Sequence, residues 1–328
     1  MKPEIQKKHQ DAAKSTVDLI HSSVNAKTNS KGTNADTLPD VECVFAGYYV
    51  VAFVDLLGTD AKNAELKAQP EFPAAMLGQE VAKVKAFQHD FYAVFEGAVR
   101  AEKKLKPLRP ENMKADLEKL QGNDVKSYAF SDSLVFYASL NMQQDRLVPV
   151  SSCFSILTAL VCAQLWSLAR GVPFRGGVEV GRAATFNGNQ ILGPALSDAV
   201  KLEEQAQFPR ILVGNGFHDY LQLNSQLPPD TPENRASREF AEICIGHICE
   251  SDEPCQLCEP DKTEDSRTRV FSLDVHSEFV ADLIGKPHQE WINKARIFAE
   301  RELQRFSGQN EKLACRYRHL LNYLEGER

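Results

Sequence analysis

Apolar positions in this chain gather into short continuous runs, separated by stretches in which they recur at helical spacing. That alternation predicts a central sheet with helices packed against it. Tyr49–Val54 is almost wholly apolar and mostly β-branched or aromatic, the composition of a strand buried on both faces. Gln79–Lys106 repeats Val81, Val84, Phe87, Phe91, Val94, Phe95 and Val99 with helical period until Pro107 and Pro110 stop it. Glu111–Leu120 predicts a further short helix. Lys126–Ala138 reads as two apolar strands around Ser131-Asp132-Ser133, a hairpin with Asp132 at its tip. Val150–Ala169 is a long apolar helix ended by Arg170-Gly171. Strands are expected over Phe174–Gly181, Phe208–Val213 and Arg269–Val275. Ile191-Leu192-Gly193-Pro194 opens a helix, with Pro at its start, that runs through Gln205. Roughly His288–Leu324 forms a C-terminal helical segment.

The remaining stretches read as connections. Lys2–Asn25 has weak helical periodicity, Asn25–Asp40 is a linker rich in Thr, Asn, Ser, Gly and Lys, and Thr59–Pro73 is a polar loop. The expected organisation is an N-terminal extension over residues 1–40, a main domain over 41–286 and a C-terminal helical segment over 287–328. The main domain carries a Cys-containing insertion near 230–265. No internal repeat is visible.

Two carboxylates change the picture. Asp55 follows the first buried strand directly, and an ionised group there is costly unless something positive sits beside it. A capping or turn aspartate is one reading; a divalent-metal ligand is the other, and it needs a second carboxylate nearby. Asp132 supplies one if the two strands lie side by side. Paired carboxylates of this kind suit Mg²⁺ or Mn²⁺ and recur in phosphoryl-transfer sites.

Composition adds exclusions. A chain of 328 residues with formal net charge −7 lacks the basic excess of a general nucleic-acid binder. It has no run of eighteen apolar residues, and its N-terminal MKPEIQKKHQ has no apolar signal core. No membrane insertion and a cytoplasmic location are therefore expected, with the eight cysteines as thiols or metal ligands rather than disulfides. Cys244, Cys249, Cys255 and Cys258, with His247 among them, include one zinc-knuckle spacing, Cys255-Gln-Leu-Cys258. Structural Zn²⁺ is one reading. Favoured over it is a set of thiols in a variable insertion, with CIGHIC as a strand or helix packing its cysteines inward.

Three blocks, taken in order, carry a resemblance: FVDLLG at 53–58, FSDSLVF at 130–136, and RGGVEVG with ILGPALSDAVKLEEQAQFPRILV from 175 to 213. They resemble the characteristic segments of class III nucleotidyl cyclases. Among these the chain is most similar to the bacterial Pycsar pyrimidine cyclases, in which RG-x-x-x-x-G, G-P-A-x-x-x-A-x-x-L-E and PRI recur. The likeness covers about half the chain. It implies an α+β, class III cyclase-like (ferredoxin-like) fold, with a mostly antiparallel central sheet and flanking helices.

The resemblance also implies roles. Asp55 and Asp132 match metal-binding aspartates, and Leu56 matches a residue that lends its backbone carbonyl to the metal. Arg175 falls where such enzymes place an arginine on the triphosphate. Ser197 and Lys201 stand where an Asn and an Arg stabilise the transition state; Ser is a shorter partner, and Lys lacks Arg's fork. Lys126 and Gln190 stand at the base-specifying positions, Gln190 in place of an acid, and a neutral amide can face the edge of uracil or cytosine. Tyr128, on the same strand face as Lys126, either closes over a small base or belongs to the core. The implied activity is conversion of UTP to 3′,5′-cyclic UMP and pyrophosphate by two-metal-ion catalysis, with two Mn²⁺ or Mg²⁺ per site. The implied context is bacterial anti-phage signalling through a separate effector protein. CTP, then a purine nucleotide, are alternative substrates, and a catalytically silent nucleotide-binding module is a third class. One set of motifs per chain implies a homodimer with shared sites.

Overall fold

The computed structural model describes residues 45–58, 74–104, 125–141, 148–186, 190–251 and 270–326. Expected elements at 2–25, 25–40, 59–73 and 111–120 lie outside these residues. In chain order the elements are β1 (Phe45–Leu56), α1 (Ala74–Lys104), β2 (Lys126–Phe130), β3 (Ser133–Ser139), α2 (Val150–Ala169) and β4 (Phe174–Phe186). Then come β5 (Gln190–Leu192), α3 (Pro194–Gln205), β6 (Ile211–Val213), α4 (Asn215–Ser225), α5 (Pro232–Ile245) and β7 (Ile248–Ser251). The chain closes with β8 (Val270–Leu273), α6 (Glu278–Ile284), α7 (Pro287–Phe306) and α8 (Glu311–Glu325).

The strands form one sheet in the order β2-β3-β1-β4-β6-β8-β7, with β5 paired to β4. Among these pairs only β4–β6 is parallel, so the fold is α+β with a mostly antiparallel sheet and flanking helices, as expected. Antiparallel partners share a face. The register Asp55↔Ser133, Phe53↔Val135 and Val51↔Tyr137 therefore puts these residues on one face, with Arg175, Gly177 and Glu179 of β4.

The two faces are covered unequally. Val50, Ala52, Val54 and Leu56 point into the main core, beneath α1 and α2. There Phe87, Phe91 and Phe95 of α1 meet Phe136 and Phe174 in an aromatic block, with Phe95 and Phe136 stacked at 4.4 Å. All of α2 except Trp166 and Ala169 is buried. By length and composition α2 could cross a membrane, but here it is the central core helix. The opposite face is covered by α3, over a small cluster of Tyr49, Val51, Val135, Tyr137, Ala183, Ile191, Ala195 and Ala199.

Several expected boundaries shift for local reasons. The strand expected at 49–54 extends to Phe45 because β1 stays paired with β4 as far as Thr185. The helix expected from Gln79 starts at Ala74, over turns whose residues are mostly exposed and which therefore show no apolar stripe. Ile191 and Leu192 do not open a helix but form β5, and the helix begins at Pro194. The strands expected over 208–213 and 269–275 are shorter, at Ile211–Val213 and Val270–Leu273. The C-terminal segment is two helices, broken where Gly308 takes φ +76° and Asn310 caps α8 by accepting from the Leu313 N–H at 3.1 Å.

One approach depends on a missing side chain. A Cβ on Gly177 would collide with the Ala199 carbonyl of α3, so this glycine lets α3 lie directly on β4. Gly177→Ala should lower the unfolding free energy by about 2 kcal/mol in urea titration, the scale of overpacking a tight contact. A loss near zero would show that α3 moves away at no cost.

Candidate active site

The end of β1 fixes one carboxylate and the β2–β3 turn the other. Asp55 lies between Ser133 on β3 and Arg175 on β4. The Ser133 hydroxyl donates to Asp55 Oδ1 at 2.7 Å. At the next residue the Leu56 N–H donates to the Asp132 carbonyl at 3.3 Å, so the hairpin tip is tied to the end of β1. Ser131 and Asp132 make a two-residue turn in which Ser131 adopts φ +54°, a conformation costing a non-glycine residue about 1 kcal/mol. Gln88 of α1 steadies it by donating to the Ser131 carbonyl at 2.7 Å.

A guanidinium and a third carboxylate stand beside the pair. Arg175 is ion-paired with Glu203 of α3, which is only 4% exposed. Burial pushes the Glu203 carboxyl up to about 7, against the pull of Arg175 and with a further push from Asp55. Nothing in the sequence gave Glu203 this role. Its one signal was its place as the last residue of the G-P-A-x-x-x-A-x-x-L-E pattern. Gln88 had no signal.

Other expected residues are placed differently. Ala195, Ala199 and Glu203 form the sheet-facing stripe of α3, whereas Ser197 and Lys201 lie off it and exposed. Lys201 pairs with Asp198 at 2.8 Å on that outer side. Within one chain, then, these two do not face Asp55. Lys126 is exposed on β2, and Tyr128 is half-buried with its hydroxyl 3.5 Å from the Ile191 carbonyl. Burial raises the Tyr128 hydroxyl pKa, and that of Tyr137 beside it reaches about 12. Gln190 is exposed and pairs with Phe186, which the register puts on the face opposite Tyr128.

The described half of the cysteine cluster is core. CIGHIC is neither one strand nor one helix, since α5 ends at Ile245 and β7 begins at Ile248. Cys244 and Cys249 both pack inward, and the Cys249 sulfur lies 3.3 Å from the Ser272 hydroxyl. The His247 ring nitrogens meet the Ser277 and Thr158 hydroxyls at 2.8 and 3.3 Å, and burial lowers its pKa to about 4. Cys255 and Cys258 lie outside the described residues.

Asp55 and Asp132 offer hard oxygen donors at neighbouring places, and the Leu56 carbonyl belongs to the same segment, a donor set that fits Mg²⁺ or Mn²⁺. Among the described residues no three His, Cys, Asp or Glu side chains gather as a metal site. The pair would therefore hold a cation together with oxygens from a substrate.

No protein-family model and no characterised protein sequence matches this chain. It is similar to the crystal structure of the adenylyl cyclase CyaB from P. aeruginosa over 70% of its own length and 95% of that chain, at 12% identity and TM-score 0.35. It is also similar to a bacterial light-regulated adenylyl cyclase over 73% of its length and 97% of that chain, at 10% identity and TM-score 0.35. These likenesses are too distant to give any residue of this chain a role.

A fourth carboxylate, Glu179, faces the N-terminus of α4. It accepts from the Val180 N–H at 2.7 Å and from the Gly216 and Phe217 N–H groups. A Cβ at Gly214 would run into it. Glu179 thus caps α4 from a distant strand. Burial outweighs these bonds and raises its carboxyl to about 7. A raised carboxyl holds its proton more tightly when folded, so its contribution is full below the ordinary value near 4.5 and is lost as pH rises to about 7. The loss is on the order of 3 kcal/mol. Glu179→Gln should flatten the fall in melting temperature between about pH 5 and pH 7 relative to the parent; parallel curves would contradict the assignment.

Proposed function

We propose that this chain is a nucleotidyl cyclase that uses a pyrimidine nucleoside triphosphate, UTP ahead of CTP, and releases a 3′,5′-cyclic nucleotide and pyrophosphate. The observation that supports the reading is the tie between the end of β1 and the β2–β3 turn, which puts Asp55 and Asp132 on neighbouring segments, with Arg175 in register opposite Asp55. Asp55 and Asp132 would hold the cations, which when bound would neutralise the triphosphate and ease ionisation of the ribose 3′-hydroxyl. The ribose 3′-hydroxyl gives its proton to solvent, its oxygen attacks the α-phosphorus, and the bond from the α-phosphorus to the bridging oxygen breaks, releasing pyrophosphate. Arg175 offsets charge on the phosphate oxygens, the electrostatic contribution that usually dominates such chemistry.

The remaining groups fit a site shared by two copies. Ser197 and Lys201 face outward from the helix over the thinly covered sheet face, and Phe130 at the hairpin is 73% exposed. A second copy packed there receives Ser197, Lys201 and Lys126 and covers this face, with Gln190 joining them from the β5 edge. Preference for a pyrimidine rests on Gln190 being neutral where a purine cyclase has an acid; Lys126 supports the purine alternative. The resemblance to Pycsar cyclases supports reading the product as an anti-phage signal made in the cytoplasm and read by a separate effector.

Incubation with each of the four nucleoside triphosphates and Mn²⁺, with mass-spectrometric identification of products, tests the reading. Cyclic UMP is expected from UTP, with less product from CTP. Asp55→Ala and Asp132→Ala should each lower turnover at least about a hundredfold, with melting temperature little changed. Mixing Asp55→Ala with Lys201→Ala chains should restore about a quarter of parental activity through mixed dimers. Cyclic product from a purine nucleotide alone would replace the pyrimidine assignment, and no cyclic product from any nucleotide would overturn the cyclase.

A further inference from the structure

We infer that Glu203 is the positioning residue for Arg175, holding its guanidinium by the inner nitrogen and aiming the outer ones at the triphosphate. This rests on the cyclase reading and adds to it a residue that touches neither substrate nor cation. Three observations support it. The contact between the two side chains runs through Arg175 Nε, which leaves the two terminal nitrogens of the planar fork for a second anion. Glu203 is buried on the sheet-facing stripe of α3 while Arg175 keeps 22% of its side chain exposed, so the pair is anchored at one end and open at the other. Gly177, two residues along β4, permits the close approach of α3 that brings Glu203 to the strand.

The alternative partner explains why an anchor is needed. Arg175 stands directly opposite Asp55 in the β1–β4 register. Cross-strand neighbours of opposite charge attract. Without Glu203 the guanidinium falls toward Asp55 and engages a carboxylate that the cations require. Glu203 therefore keeps a fixed positive group next to a fixed negative one without letting them neutralise each other.

Calorimetric titration of the full chain with inorganic triphosphate in the presence of Mn²⁺ tests this without relying on turnover. The parent should bind, and Arg175→Ala should weaken binding about tenfold, the scale of a hydrogen bond to a charged group. Glu203→Ala should weaken it to a similar extent, because the anchor is gone. Glu203→Gln should stay within about twofold, because its amide oxygen still accepts from Nε. Combining Glu203→Ala with Arg175→Ala should cost no more than Arg175→Ala alone. If Glu203→Ala does not fold, Glu203→Asp replaces it: the charge remains but its reach is shorter, and binding should weaken likewise. A purely electrostatic Glu203 would make Ala and Gln behave alike, both tightening anion binding. A merely structural one would lower melting temperature and leave affinity unchanged. Either result overturns the proposal while the cyclase reading stands. Absence of triphosphate binding by the parent overturns both.

Discussion

Everything proposed here depends on the register between β1 and β3. Antiparallel partners share a face and the side-chain period is two, so a slip of one residue would turn Asp55 into the aromatic block and Val54 out of it. Such a slip is opposed from both sides of the sheet. Val50, Ala52, Val54 and Leu56 are fully or nearly fully buried on the helix-covered side, against Phe91, Phe95, Phe136 and Phe174. On the other side the Ser133 hydroxyl holds Asp55, and within the sheet the Leu56 N–H donates to the Asp132 carbonyl. Hydrophobic burial sets the register, and two hydrogen bonds hold its end, where Asp55 and Asp132 lie.

Charge is then arranged around the site by elements distant in sequence. Asp55, Asp132 and Glu203 are carboxylates, and Arg175 is the guanidinium among them. Burial of Glu203 works against its charge, and Arg175 pulls the other way. A few residues further along the same strand face, Glu179 closes the start of α4 by a bond that α4's own sequence does not supply. β4 thus contributes Arg175 to the candidate site and Glu179 to the scaffold, and glycines let each neighbouring helix come close.

The parts legible in the sequence were those governed by local pattern. Continuous apolar runs marked β1, β3 and α2, the last with both ends correct, because strand and core-helix burial leaves a mark on every residue. The hairpin tip and the two aspartates were equally visible, since each sits where a buried run stops. What the sequence hid is non-local. The early turns of α1 are mostly exposed and carry no stripe, and β5 is three residues long. No expected element covers Asn215–Ser225, a helix whose start is capped by Glu179 from β4. The pairing of Arg175 with Glu203 joins residues whose meeting depends on how closely α3 lies on β4, which no spacing rule conveys.

The most direct measurement is the electron paramagnetic resonance of Mn²⁺ titrated into the protein with a non-cyclising nucleoside triphosphate analogue. The account predicts that about two Mn²⁺ ions per chain leave the free-ion signal, as a two-metal site requires, and that Asp55→Ala and Asp132→Ala each restore that signal. Uptake by both variants equal to that of the parent would contradict it, because the two carboxylates would then not share the cations.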